Sequence, residues 1–371
     1  MKVLHLITAL SAGGAELHLL TLCRHLKRRG VTVVVVCLRE LVKGSKSLRP
    51  DLEREGIRTV NLQAGAAYDW RFLTRLTRLF REERPDILHT HLPRADFAGT
   101  ILHLLYPSLP WICSVHAVYS RAFWSGKWAL PLFDLTLRSP HAIIAISGAV
   151  KDWLVEERHI RPEKVTVVHY GIEPERFTQP AQALRRIWGL NGQAVIGSVG
   201  RLEHEKGHEV LIRAMSAICD RVPDACLLIA GSDPWRYGEE LQSIIDGMDV
   251  GDRVRLIGFQ EDVPSFLHAL DVFAFASRSE GFGQVIIEAM AAGRPVVANR
   301  IPPMTEIVVD GETGLLVEPD NRHALAEAIR WLLTHPDDGK RMGARGRDRV
   351  YKHFSVERMG DATFELYRTC A

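Results

Sequence analysis

Short, nearly unbroken apolar runs recur along the chain, separated by longer stretches of helical periodicity. They cover residues 3–7, 31–37, 87–89, 111–115 and 143–146, then 165–169, 195–199, 226–229, 254–256, 272–276 and 295–298. Runs that are apolar at successive positions, instead of alternating, suit strands buried on both faces. Helix-length segments between them point to parallel sheets covered on both sides. Two such series predict an α/β chain of two doubly wound, Rossmann-like domains. A stretch of turn formers from Gly171 to Pro180 separates the series and reads as the linker. The expected division is 1–172, 173–355 and a terminal helix in 356–371 that packs back towards the first domain.

The chain's 371 residues fit two cores of ordinary size. With 46% hydrophobic and 25% charged residues, the composition excludes a disordered or fibrous protein. Met1-Lys2 and the apolar residues after it imitate the start of a signal peptide, but His5 interrupts the run and a glycine loop follows, so a buried strand is expected. No apolar stretch approaches the roughly 20 residues of a spanning helix. The six cysteines are scattered without metal-ligand spacing, which fits a reducing, cytoplasmic setting.

The net charge of +2 conceals an asymmetry. Up to Tyr170 there are about 24 Lys and Arg against about 15 Asp and Glu; beyond it the numbers are about 23 and 30. Within the basic part, residues 71–81 place Arg71, Arg75 and Arg78 on one helical face opposite Phe72, Leu73, Leu76 and Leu79. That pattern fits a sheet-covering helix with a solvated basic face, and also a helix lying on an anionic membrane surface. The segment 121–128, Arg-Ala-Phe-Trp-Ser-Gly-Lys-Trp, interleaves aromatics and cations as a membrane interface or a lipid-linked ligand would require. No nucleic-acid partner is expected.

Ligands of open α/β sheets bind beyond the carboxyl ends of the strands, so the residues there carry the candidate chemistry. After the first strand, Gly13 and Gly14 open a helix whose amino end can receive an anion, although a plain tight turn has the same pattern. The full G-x-G-x-x-G fingerprint is absent, which disfavours a nicotinamide oxidoreductase. His89, His91 and His116 lie at or beyond later strand ends, where an imidazole can hydrogen-bond a sugar hydroxyl or backbone. His-x-His also suggests a metal, but no acidic cluster accompanies it and no metal site is expected. Ser147 either lines the same cleft or caps a helix.

In the second series, Arg201 and Lys206 stand on a glycine-flanked loop after a strand. The fork of one and the compact charge of the other suit a diphosphate, as well as a merely solvated loop. Residues 279–291 carry the stronger signal: Glu280 precedes a Gly-Phe-Gly turn that opens a helix, and Glu288 follows about one turn in. Carboxylates so close to a phosphate site suit a ligand rich in hydroxyl donors.

At these residues the chain resembles glycosyltransferase family 4. The resemblance spans the Gly-Gly-Ala-Glu loop, Ser-Val-His at 114–116, Gly-Arg-Leu through Lys206, the E-x7-E signature from Glu280 to Glu288, Gly-Arg-Pro-Val-Val-Ala at 293–298, and the segments around Glu306 and Gly314. It implies a GT-B fold, two Rossmann-like doubly wound domains facing a central cleft, the first for the acceptor and the second for a nucleotide-sugar donor. By the resemblance, Arg201 and Lys206 bind the donor diphosphate. Glu280, with the backbone of Phe282 and Gly283, holds the sugar, and the amides of Gln284 and Val285 lie near the phosphates. Glu288 takes the ribose, and Gly258 and Phe259 lie by the base. His116 contacts the donor sugar, Gly14 lies near diphosphate and acceptor, and Gly13, His91, Ser147 and Tyr170 are acceptor or cleft candidates. The family's common Pro-Asn-Gly-Val-Asp linker is altered, with Tyr170 and Glu173 at the Asn and Asp positions.

The expected activity is retaining hexosyl transfer from a UDP- or GDP-sugar to a glycan or lipid-linked hydroxyl, in cell-surface polysaccharide, lipopolysaccharide or glycolipid assembly. No cofactor is expected: no D-x-D motif stands out, and the two cations would neutralise the departing diphosphate instead of a metal. Related alternatives are a nucleotide-sugar epimerase, a phosphorylase or a non-catalytic sugar-binding protein.

Overall fold

A computed structural model describes the chain apart from residues 40–45, 65–70, 120–128, 179–183 and 191. The aromatic and basic segment 121–128 therefore lies outside the described residues. Two compact units emerge: Met1–Gly171 together with Val356–Ala371, and Ile172–Ser355.

Among the described residues, the first unit holds strands β1 (Lys2–Ile7), β2 (Thr32–Cys37), β3 (Arg58–Asn61), β4 (Ile87–His91), β5 (Trp111–Val115), β6 (Ala142–Ala145) and β7 (Val165–Val167). They form one parallel sheet in the order β3-β2-β1-β4-β5-β6-β7. The second unit holds β8 (Ala194–Val199), β9 (Ala225–Ala230), β10 (Val254–Gly258), β11 (Val272–Phe275), β12 (Val296–Asn299) and β13 (Leu315–Val317), in the order β10-β9-β8-β11-β12-β13. Both orders reverse direction beside the first strand of their unit. Each therefore has a topological switch point, β1/β4 in one and β8/β11 in the other, where the loops diverge and leave room for a ligand.

Strand periodicity divides the core of the first unit. Val3, Ile7, Val33, Val35 and Cys37 pack on one face with Leu19, Leu22 and Leu26 of the helix Gly14–Arg28 and with Val356, Met359 and Tyr367 of the last helix. Leu4, Leu6, Val34 and Val36 point the other way, against Leu76, Leu79 and Phe80 of the helix Arg71–Glu83. This alternation, apolar on both sides, is why these strands read as continuous runs.

Two strands, β3 and β13, escaped the apolar-run pattern. Both lie at sheet edges, are three or four residues long, and are partly exposed. β4 runs on to His91, and the terminal helix extends from Val356 to Cys370. That helix is tied to the first unit by His25 Nε2, 3.0 Å from Asp361 Oδ1, and by Gly171 N, 3.1 Å from the Met359 sulfur. No helix among the described residues is long and apolar enough to cross a membrane. All six cysteines are free.

Candidate functional site

In the second unit, the loop after β8 and the loop after β11 meet at the switch point. Gly207 makes their approach possible: its φ is +64°, and a Cβ there would lie 2.1 Å from the carbonyl oxygen of Ala276. Around that contact, Arg278 N donates to Glu205 O at 2.8 Å, and Ser277 Oγ donates to the same oxygen at 3.1 Å. Buried Asn299, at the end of β12, donates from Nδ2 to Ala276 O and Ser277 O at 2.8 and 3.0 Å. The Arg278 guanidinium ties the His204 carbonyl, Glu209 and Asp320 together. Nothing contiguous in the sequence pointed to Asn299 or Arg278 as supports.

On this frame Lys206 Nζ lies 2.6 Å from Glu280 Oε1, both side chains mostly buried. Its second acidic neighbour, Glu203, is 3.9 Å away. Arg201 is more exposed; it pairs with Glu203 at 3.1 Å, and its guanidinium carbon sits 5.2 Å from the ring centre of Trp235. Behind it, buried His208 donates from Nε2 to the Arg201 carbonyl at 3.1 Å, and burial lowers that imidazole's pKa to about 4. Trp235 and Tyr237 line a cavity of about 380 Å³ with Glu203, His204, Arg236 and Glu240. Sequence reasoning had not singled out Trp235, which stands in a polar loop with no motif around it.

The helix Gln284–Ala291 begins after Gly283, whose φ is +93°. Phe282 is buried against Phe354, with ring centres 5.8 Å apart, which anchors the turn and leaves its backbone at the helix's amino end. Glu288 lies one turn on, where its Oε1 accepts from Gln284 Nε2 at 2.9 Å. Burial raises its pKa to about 7, opposed by that hydrogen bond and by Arg176. Val285 is partly buried beside it. At the end of β10, Gly258 has φ +68° and no atom within 4 Å of a Cβ position, and the neighbouring Phe259 ring is exposed.

The first unit has a different chemistry at its switch point. Gly13 caps the helix Gly14–Arg28, and a Cβ on Gly14 would enter open space. On the sheet face beneath that helix, imidazoles form a buried network. His5 Nδ1 lies 3.1 Å from His91 Nε2, His91 Nδ1 lies 3.1 Å from His116 Nε2, and His116 Nδ1 lies 2.6 Å from the Tyr170 hydroxyl. Alongside, His89 bridges the Tyr367 hydroxyl at 2.6 Å and Ser114 Oγ at 2.8 Å. His18 stacks on Tyr170 with ring centres 4.3 Å apart. Burial holds all five rings neutral: the pKa values of His5 and His116 fall to about 3, and those of His18, His89 and His91 fall well below 6.5. Ring nitrogens of His5, His89 and His91 lie within 4.8 Å of one another. A metal ion could use them only by displacing hydrogen bonds already made.

Several expectations for this unit change. His91 is fully buried and stands one layer behind His116, so as the structure stands it does not line a cleft. His116 has both ring nitrogens engaged and must exchange a partner to meet a sugar. Ser147 is buried, and its Oγ accepts from Val150 N at 3.2 Å as the cap of the helix Gly148–Asp152. Tyr170 is buried and supplies the hydroxyl that ends the histidine row.

Comparison with known proteins shows the family and the fold. The family model described as Glycosyltransferase Family 4 matches residues 12–176, and that described as Glycosyl transferases group 1 matches residues 181–349. The capsular polysaccharide biosynthesis glycosyltransferase CapM of Staphylococcus aureus is 30% identical over 314 residues, covering 81% of each chain. The lipopolysaccharide core biosynthesis mannosyltransferase LpsB of Rhizobium meliloti is 30% identical over 244 residues, which is 63% of this chain and 67% of that one. Among solved structures, Anabaena Alr3699/HepE in complex with UDP-glucose superposes with a TM-score of 0.88 at 23% identity, over the whole of both chains. With two Rossmann-like α/β units of the GT-B class, this chain is a glycosyltransferase and belongs to glycosyltransferase family 4.

Proposed function

We propose that the protein is a retaining, metal-independent hexosyltransferase that uses a UDP- or GDP-sugar and delivers the sugar to a glycan or lipid-linked hydroxyl. The observation that carries this reading is the Lys206–Glu280 pair at the β8/β11 switch point, with Arg201 beside it. A donor diphosphate competes with Glu280 for Lys206, and the carboxylate it displaces becomes an acceptor for sugar hydroxyls. One exchange thus prepares both ends of the donor. The Arg201 and Lys206 charges and the amino end of the helix Gln284–Ala291 then stabilise the leaving diphosphate, the term that dominates such transfers. No protein nucleophile stands out, so the incoming hydroxyl attacks on the face the diphosphate leaves, and a diphosphate oxygen takes its proton.

Two relatives named for capsular polysaccharide and lipopolysaccharide core biosynthesis support a cell-surface acceptor. The helix Arg71–Glu83 buries Leu76, Leu79 and Phe80; Arg75 turns aside to donate to Gln63 O, and exposed Arg71 and Arg78, the latter 3.8 Å from Glu82, can meet anionic lipid. Flotation with anionic liposomes at low salt tests that contact; no association removes it.

The experiment is a thermal-shift screen of UDP-, GDP- and ADP-sugars, followed by transfer and hydrolysis assays with the hit. Glu280→Gln should fold normally and lose turnover. Unimpaired turnover in that variant, epimerised or phosphorolysed products, an inverted product, or activity abolished by EDTA and restored by magnesium would each overturn the corresponding part.

A further inference from the structure

The histidine row in the first unit has a property that single residues lack. A neutral imidazole carries one N–H and one lone pair, so a ring with both nitrogens in hydrogen bonds must donate at one and accept at the other. His91 and His116 both do so, which makes the row directional: fixing the proton on one ring fixes it on all. One of its two directions begins at the Tyr170 hydroxyl, 2.6 Å from His116 Nδ1. The parallel contact of Tyr367 with His89 Nδ1 has the same length, and His89 Nε2 then donates to Ser114 Oγ. With the Tyr170 hydroxyl donating to His116 Nδ1, His116 Nε2–H donates to His91 Nδ1, and His91 Nε2–H donates to His5 Nδ1. The row ends on His5 Nε2, which is buried and has no partner.

We propose that His91, braced by His5, is a positioning residue that holds the His116 proton on Nε2 and so keeps Nδ1 as an acceptor for a sugar hydroxyl, a place that the Tyr170 hydroxyl occupies when no sugar is bound. This rests on the reading that His116 faces the transferred sugar. Tyr170 stands where the resembling family usually has Asn, and its hydroxyl satisfies a buried acceptor that would otherwise lack a partner. Sugar binding then exchanges one hydroxyl donor for another, and the imidazole neither gains nor loses a proton.

The two carboxamides separate the two sides of His91. Asn can stand in for Nδ1, accepting from His116, whereas Gln can stand in for Nε2, reaching His5 and leaving His116 unheld. His91→Asn is expected to keep kcat within about twofold; His91→Gln should lower kcat about tenfold to a hundredfold with donor KM within about threefold. Ring 15N signals of histidine-labelled wild-type protein should show His116 as the Nε2–H tautomer, and His91→Gln should populate the other. Thermal unfolding of each variant reports whether it folds, and the wild-type tautomer is measured without any variant. An Nδ1–H tautomer in the wild type, or wild-type kcat in folded His91→Gln, overturns the inference and leaves the proposed function standing. Wild-type protein that turns over no nucleotide sugar refutes that function, and the inference with it.

Discussion

Glu288 is placed where burial works against its charge. Its carboxyl has a pKa of about 7 in the folded chain against an ordinary 4.5, because burial penalises the charge. Between those values the folded protein holds a proton that the unfolded chain releases, so stability falls as pH rises through the window, and the full penalty applies above pH 7. A shift from 4.5 to about 7 corresponds to about 3 kcal/mol. Glu288→Gln removes the titration. Its amide can donate to Gln284 Oε1, which is buried and without a partner in the wild-type chain. The variant should match wild type near pH 4.5 and exceed it by about 3 kcal/mol at pH 8, measured by urea unfolding across that range. If Glu288 takes the ribose hydroxyls, the same variant should bind nucleotide about tenfold to a hundredfold more weakly by calorimetry at pH 8. Wild-type affinity should fall as pH drops below 7, while the variant's stays level. Parallel stability curves for the two proteins would refute the burial argument; equal nucleotide affinities would refute the ribose assignment.

Lys206→Ala leaves the Glu280 carboxylate mostly buried without its cation; roughly 1–3 kcal/mol of stability should be lost, and donor KM should rise more than tenfold in a steady-state assay. Gly207→Ala forces a Cβ onto the Ala276 carbonyl at a positive φ, so both switch-point loops should shift, with a loss of more than about 2 kcal/mol in urea unfolding. Gly14→Ala adds a Cβ that meets no protein atom within 4 Å and should unfold at the wild-type temperature, while losing activity if a substrate occupies that space.

The central strands were legible because a sheet covered on both faces needs apolar side chains at every position, as in Val33 through Val36. Arg58–Asn61 carries polar residues at three of its four positions and Leu315–Val317 is only three residues long, which is why neither stood out as a run. The loops of the second unit were legible for a different reason: Arg201 and Lys206, and Glu280 and Glu288, lie within two short segments whose local order survives folding. The histidine network is assembled from β1, β4, β5 and two helices, and its members are far apart in the chain. One local signal existed, His89 and His91 two residues apart on a short buried strand, which places both rings on one face. Tyr367 and Tyr170 carried no sign that they would cap those rings.

The helix Val356–Cys370 gives the chain a consequence in time. The chain leaves the first unit at Gly171 and returns at Val356, so one face of the first sheet stays partly uncovered until residues 356–370 are made. Tyr367, which holds His89, emerges 278 positions after it. The second unit is continuous and can close while the first still waits. During synthesis the imidazole pocket is therefore sealed only after the second unit is made, and a ribosome that stops at residue 355 releases a whole second unit joined to an open first one.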